Sequence, residues 1–495
     1  MKAGLTGALM VCGTSSDSGK STLVAGLCRV LARQGVRVAP FKAQNMALNS
    51  TVTMTGAEIG RAQAAQAHAA GIEPEAAMNP VLLKPSADHT SQVIVMGRPW
   101  ANLSAADYQK AKPQLWEVVL DSLAGLRRRF DVVICEGAGG AAEINLLEDD
   151  IVNLRLAHAA RMRSVIVGDI DRGGVFASLY GTVALLPEEM KATVGGFLIN
   201  KFRGDPAVLD PGPAQLQDLT GLRTIGVVPW IDGPPIDAED SLDLHRLAVP
   251  TADPDRLDVA VIRFPRISNF TDIEALALEP SVGIRLVDHP ALLGVPDLII
   301  LPGTKTTVAD LEWLRHTGLG EGILRVASSS PTTTILGVCG GYQMLGEKVD
   351  DEVESDPPRV VEGLGLLPVV TKFHKEKTTR ARSGEAFGER VNGYEIHHGV
   401  TTPASPWVVL DSGDEEGASV QEGRVLGTSL HGMFESDGFR NLFLSDVARR
   451  AGKEYQPSNL SFVRARQARA DRIADVLEQH VDIAAIVKLI GEAQL

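Results

Sequence analysis

The feature that most constrains the fold stands near the N-terminus. The apolar run Ala8–Cys12 flows into Gly13-Thr-Ser-Ser-Asp-Ser-Gly19-Lys20-Ser21-Thr22, and an amphipathic stretch, Ser21–Gln34, follows directly. A strand, a glycine-bounded loop and a helix in that order aim backbone N–H groups and a helix N-terminus at one point, which is a cradle for phosphate. Lys20 is expected to reach the terminal phosphates of a nucleotide and Ser21 to bind Mg²⁺, while Gly13, Thr14, Ser18, Gly19 and Thr22 shape the loop. Five residues separate Gly13 from Gly19, one more than the usual spacing, and one of them is the acidic Asp17. A glycine–serine turn that merely caps a helix is the plainer alternative, but GKST in a strand–loop–helix context outweighs it.

Such a strand needs neighbours, and the chain supplies them. Short apolar runs at Val36–Phe41, Asp131–Cys135, Ser164–Val167, Gly196–Ile199 and Ile225–Val228 alternate with longer amphipathic stretches. Runs of that length bounded by Gly, Pro or Asp read as buried parallel strands, so a doubly wound α/β domain is expected. With 495 residues the chain is too long for one ordinary core. A second set of runs, Leu257–Phe264, Gly283–Val287, Leu298–Leu301 and Thr334–Val338, marks a second α/β domain. Between the sets, Asp232–Asp255 is rich in Asp and Pro and aperiodic, as a linker is. The expected division is a P-loop domain at 1–235, a linker at 236–255, a second domain at 256–445 and a helical extension at 446–495.

Composition excludes several classes. With 48 basic and 62 acidic residues the net charge is −14, which gives a nonspecific nucleic-acid or membrane-surface binder nothing to work with. The four cysteines, Cys12, Cys28, Cys135 and Cys339, are scattered, so neither a disulfide scaffold nor a Cys-rich zinc site is expected. No window approaches ~20 uninterrupted apolar residues, and no signal-peptide pattern opens the chain. A cytoplasmic location is the expectation; the oligomeric state is left open.

Two further positions carry chemistry. In DVVICEGAGG an apolar strand ends on Glu136 and a glycine loop, which offers a carboxylate to the metal beside Ser21; Asp17 is a second. In TILGVCGGYQMLG, Cys339 stands between an apolar strand and Gly340-Gly341, with a helix start behind. That is a nucleophile elbow: the sharp turn exposes the thiol, the helix N-terminus favours its charged form, and nearby N–H groups can hold an oxyanion. A base is also required. His431, in GTSLHGMF, ends another short run, with His397 and His398 in GYEIHHG as competitors.

Gly13-Thr14, Asp17, Gly19-Lys20-Ser21 and Glu136-Gly137-Ala138-Gly139 together resemble the dethiobiotin-synthetase-like P-loop enzymes, which activate a carboxylate with ATP. The blocks Pro40–Ser50, Asn79–Pro85, Glu143–Asn153, Gly168–Phe176 and Ile199–Asp205 narrow the likeness to the cobyric acid synthase family, corrinoid amidases of cobalamin biosynthesis, nearly end to end. That resemblance, and not spacing, implies that Gln44, Asn45 and Asn49 lie near the phosphates and a corrinoid carboxylate. It also implies that Asp149, Asp150 and Asp171 stand at the catalytic edge, and that Asn200 and Lys201 contact the adenine end.

The pattern G-x-C-x-G-x-Q with a later His is similar to class I glutamine amidotransferase domains, whose fold is flavodoxin-like. The likeness implies glutamine as nitrogen donor, Cys339 and His431 as catalytic pair, and Gly303 (in Leu301-Pro302-Gly303) with Gly340 as oxyanion positions. Ordinary members carry His-x-Glu; here Met433 stands at the Glu position and Glu435 follows, so the expectation is a Cys–His pair without an orienting carboxylate. The resemblance implies amidation of the b, d, e and g carboxylates of a corrinoid a,c-diamide, at the expense of ATP and glutamine with Mg²⁺. An a,c-diamide synthase or a cell-wall lipid amidotransferase shares this build. A P-loop switch protein with a glutaminase-like domain kept for binding is the alternative of another class.

Overall fold

The computed structural model describes residues 4–87, 90–233, 237, 255–355, 357–402 and 404–492. Six strands form one sheet in the order Thr224–Pro229, Val194–Phe202, Arg163–Asp169, Gly7–Gly13, Val132–Glu136, Val38–Phe41. All neighbours are parallel, and Val132–Glu136 is buried at every position, as expected where helices cover both faces. Each apolar run singled out in this half of the sequence became one of these strands. The phosphate loop leaves the sheet beside the strand that ends on Glu136, at the carboxyl edge where open α/β sheets bind ligands.

A second sheet runs Val282–Val287, Leu257–Ile262, Leu298–Leu301, Thr334–Val338, Val425–Thr428, with antiparallel Ala418–Val420 at its edge. Three adjacent strands of this sheet, Leu298–Leu301, Thr334–Val338 and Val425–Thr428, feed the loops that carry Gly303, Cys339 and His431. Besides a two-stranded pairing of Ser50–Val52 with Glu58–Gly60, two further sheets were not expected. One is a meander of Val81–Ala87, Thr90–Val95 and Arg98–Ser104 in the first domain. The other is built on the long hairpin Val370–Ala386 and Glu389–Thr401 in the second.

The linker assigned to 236–255 lies outside the described residues except for Asp237 and Asp255. The boundary expected at 445/446 falls inside the helix Asp437–Ala451. Beyond it, Phe462–His480 and Ile483–Gly491 are helical, but they return to the first domain. Ile473, Leu477, Ile486 and Ile490 pack with Leu9, Val11, Leu23 and Leu27 in one core. The last helices therefore complete the nucleotide domain's core, because its sheet needs cover on that face. Arg33 fastens the same helix from outside through Asp471 at 2.7 Å and Asp475 at 2.6 Å.

The two domains meet at Ser50, whose N–H donates to Asn269 Oδ1 at 2.9 Å and whose carbonyl accepts from Tyr394 Oη at 3.2 Å. Among the described residues no helix is long and apolar enough to cross a membrane.

Candidate active site

The first centre forms around the phosphate loop. Gly19 takes φ 91° at the N-cap of the helix Lys20–Arg33, a left-handed turn that a side chain would strain. Lys20 Nζ donates to Ser15 O at 2.9 Å and Gly139 O at 3.2 Å, so it bridges the phosphate loop and the glycine loop after Glu136. Ser21 Oγ donates to Glu136 Oε1 at 2.7 Å. Lys42 Nζ reaches that oxygen at 2.7 Å, and Gln66 Nε2 donates to the other carboxylate oxygen. Glu136 is fully buried, and the cation and two neutral donors compensate its charge there. Lys42 and Gln66 were not singled out in the sequence, although Lys42 follows the carboxyl end of a core strand, where such residues gather.

Ser21 and Glu136 offer the hard oxygens that Mg²⁺ prefers. Asp17 departs from that pair: its carboxylate meets Arg172 at 3.1 Å. Asn200 Nδ2 donates to Ser18 O at 2.9 Å and so props the phosphate loop from beneath. Ser18 Oγ is buried with no partner among the described residues. Lys201 Nζ pairs with Asp169 at 2.8 Å. Asp171 pairs at 3.1 Å with Arg203, whose guanidinium lies 3.8 Å over the Trp230 ring. Lys201 and Trp230 line, with the phosphate loop and Asn45, a cavity of about 990 Å³.

The other resemblance-derived positions separate. Gln44 accepts from the Tyr108 hydroxyl. Asn45 donates to Gln63 at 3.1 Å. Asn49 is buried next to the interdomain contact at Ser50. Asp149 is exposed. Asp150 is buried, and its carboxylate accepts from the N–H of Val152 at 2.9 Å and of Asn153 at 3.1 Å, so it organises a turn.

The second centre holds Cys339. Its backbone sits at φ 51°, ψ −108°, a strained conformation for a residue with a side chain and the mark of a nucleophile elbow. A Cβ on Gly303 would stand 2.7 Å from His431 Cε1, and one on Gly340 would stand 2.6 Å from Thr304 Cγ2. Glycine at both positions lets the three loops close on one another. His431 is fully buried, and its Nε2 has no hydrogen-bond partner among the described residues. Burial alone would lower its pKa; Asp272 and Cys339, both beside it, raise it to about 10.

Asp272 corrects the expectation of an unoriented histidine. His431 Nδ1 lies 2.7 Å from Asp272 Oδ2, and the N–H of Gly432 donates to the other carboxylate oxygen. The orienting carboxylate comes from the segment Phe270–Ile273 and not from the stretch after the histidine. Met433 fills apolar space, its sulfur 3.7 Å from Thr428 Oγ1. Glu435 points elsewhere. It pairs with Arg61 of the first domain and with Arg466 at 3.0 Å, and Asp237 joins the same two arginines at 2.8 and 2.7 Å. Both competing histidines also line the cleft around Cys339: His398 contacts His374 O at 3.1 Å and Gln92 at 3.3 Å, and His397 lies 3.5 Å from Glu395 with neither ring nitrogen hydrogen-bonded among the described residues.

The first domain also walls the second centre. Lys84, from the first domain, lines the cleft of Cys339 and His431. Its Nζ meets Glu58 at 2.8 Å, and Lys377 of the second domain meets the same carboxylate at 2.6 Å. Burial would raise the Glu58 carboxyl, but the two ammonium groups hold it well below the usual carboxylate range. Burial also lowers Lys377 to about 8 against the pull of Glu58.

Comparison with known proteins follows the same division. Residues 9–238 match the CobQ/CobB/MinD/ParA nucleotide binding domain, and residues 258–439 match the CobB/CobQ-like glutamine amidotransferase domain. The chain is 52% identical to a cobyric acid synthase of Streptomyces coelicolor, covering 98% of this chain and 97% of that one. It is 50% identical to that of Frankia casuarinae, over 99% and 97% of the two chains. Against the cobyric acid synthase of Rhodococcus jostii the identity is 50%, over 98% and 96%.

Proposed function

The chain belongs to the cobyric acid synthase family, and from that membership we propose that it amidates the b, d, e and g carboxylates of adenosylcobyrinic acid a,c-diamide, using ATP and glutamine. It is a glutamine-hydrolysing carbon–nitrogen ligase with a nucleotide-binding domain. In the proposed cycle the Cys339 thiolate attacks the side-chain amide carbon of glutamine, and the His431 imidazolium gives its Nε2 proton to the departing nitrogen. Ammonia leaves and a γ-glutamyl thioester remains. Water, deprotonated by His431, hydrolyses the thioester to glutamate. Asp272 holds the imidazole ring in place throughout.

Ammonia passes internally to the first domain. There a corrinoid carboxylate oxygen attacks the γ-phosphorus of ATP, ADP departs, and ammonia then displaces phosphate from the acyl phosphate. Lys20 and the backbone of the phosphate loop stabilise the charge on the transferring group. Ser21 and Glu136 would hold Mg²⁺, with Asp17 at the loop's rim, and the ion would neutralise phosphate charge when bound. Lys42 pairs with the buried Glu136 carboxylate at 2.7 Å.

The observation that carries this reading is that the cleft of the thiol and imidazole is lined in part by the nucleotide domain, through Lys84. Incubation with ATP, glutamine and the a,c-diamide, with product masses read out, is the test. Conversion of the b, d, e and g carboxyls to amides, a gain of four amide groups, is expected. A product amidated only at a and c, from cobyrinic acid, would contradict it.

A further inference from the structure

Beside the Cys339 cleft lies a second, open cavity of about 360 Å³, walled by the first domain's meander through Trp100 and Asn102 and by the second domain. Lys305 and Glu354 line both spaces. Lys305 Nζ and Glu354 Oε1 stand 3.2 Å apart, with side chains only 9% and 14% exposed, so the pair occupies the neck between outer cavity and catalytic cleft. A nearly buried ion pair adds little net stability, because desolvation offsets much of its attraction.

The surroundings are built for a charged guest. Lys305 is two residues beyond Gly303, and Thr304, between them, touches the cysteine loop at Gly340. Thr306 follows, and its hydroxyl is buried with no hydrogen-bond partner among the described residues while facing the outer cavity. Thr306 is also the N-cap of the helix Thr307–His316, yet its side chain makes no cap hydrogen bond. An ammonium group, an unused hydroxyl and a helix N-terminus together favour a carboxylate. Glu354 is fixed opposite by a turn in which Asp351 Oδ1 accepts the Glu354 N–H at 2.8 Å.

We propose that Lys305 with Thr306, and Glu354 opposite, form the subsite for the amino-acid end of glutamine. The zwitterion enters through the outer cavity and splits the ion pair. Its α-carboxylate takes Lys305 and the Thr306 hydroxyl, its α-ammonium takes Glu354, and its side-chain amide extends to Cys339. This inference rests on the glutaminase reading above and adds to it the residues that select an α-amino acid over a simple amide.

Glutamate or ammonia release by the full-length protein tests it, with glutamine, 4-aminobutanamide (no α-carboxylate) and glutaric acid monoamide (no α-amine) as substrates. Lys305→Met is expected to lose about 100-fold in kcat/KM for glutamine, chiefly through KM, and to lose nothing further on 4-aminobutanamide. Glu354→Gln is expected to lose similarly on glutamine and nothing on the monoamide. Ammonium-dependent corrinoid amidation stays at the wild-type level in both. The swap Lys305→Glu/Glu354→Lys restores an ion pair but reverses its polarity, so it stays defective on glutamine. Recovery of glutamine turnover by the swap would overturn the proposal, because a purely structural pair would be rescued. Glutamine kinetics left unchanged by Lys305→Met would overturn it too, as would ammonium-dependent amidation that falls in step with glutamine turnover. Wild-type protein that hydrolyses no glutamine would overturn the glutaminase reading along with the subsite.

Discussion

His431 Nδ1 lies 2.7 Å from Asp272 Oδ2, a contact between residues 159 positions apart that orients the imidazole ring. Asp272→Asn keeps the side-chain shape and removes the charge. Glutamine-dependent amidation is expected to fall on the order of 100-fold, with ammonium-dependent amidation unchanged. Steady-state rates with the two nitrogen donors check this, and equal losses with both would contradict it.

The same contact predicts a pH dependence of stability. A histidine whose pKa is raised in the folded protein, here from 6.5 to about 10, stabilises the fold fully below its unfolded pKa. That contribution fades as pH rises through the interval. The stability advantage of wild type over Asp272→Asn is therefore expected to be largest near pH 6.5 and to shrink toward pH 10, as urea unfolding at a series of pH values would show. An advantage that grows with pH would contradict the assignment.

Arg61 joins the domains through Glu435 and Asp237, with Arg466 as the second cation. Arg61→Ala leaves the buried Asp237 and the half-buried Glu435 sharing one arginine. A loss of about 3–5 kcal/mol in unfolding free energy is expected, since breaking a buried pair strands a charge. Denaturant titration measures it, and a change below about 1 kcal/mol would mean that the cluster is not a structural tie.

Lys42 is expected to matter to only one half of the chemistry. Lys42→Met strips Glu136 of the ammonium group paired with it and disturbs the carboxylate beside Ser21. Amidation should fall about 100-fold with either nitrogen donor, while glutamate release from glutamine without corrinoid persists. A defect confined to glutamine-dependent turnover would place Lys42 in the wrong domain's chemistry.

The core strands were legible because both sheets are buried on two faces, which writes each strand as a continuous apolar run such as Val132–Glu136. The hairpin Val370–Ala386 with Glu389–Thr401 carries no such run; much of the former strand is exposed and polar, so its pairing left no apolar signature. Cys339 and His431 were found by their loop glycines and strand ends. Asp272 was not, because an orienting carboxylate needs only to arrive from any segment, and nothing local in Asn269–Glu274 marks it. Glu435 had no role legible in the sequence, because its partner is an arginine of the other domain. The amphipathic helix Phe462–His480 displayed its apolar stripe, but a stripe does not say which core it completes.

Replacing Cys339 by alanine separates the two chemistries most directly. With ATP and the corrinoid a,c-diamide supplied, Cys339→Ala is expected to make no amide from glutamine and to amidate at the wild-type rate from ammonium. Amide formed from glutamine, or none formed from ammonium, would contradict a glutaminase that feeds a separate synthetase site.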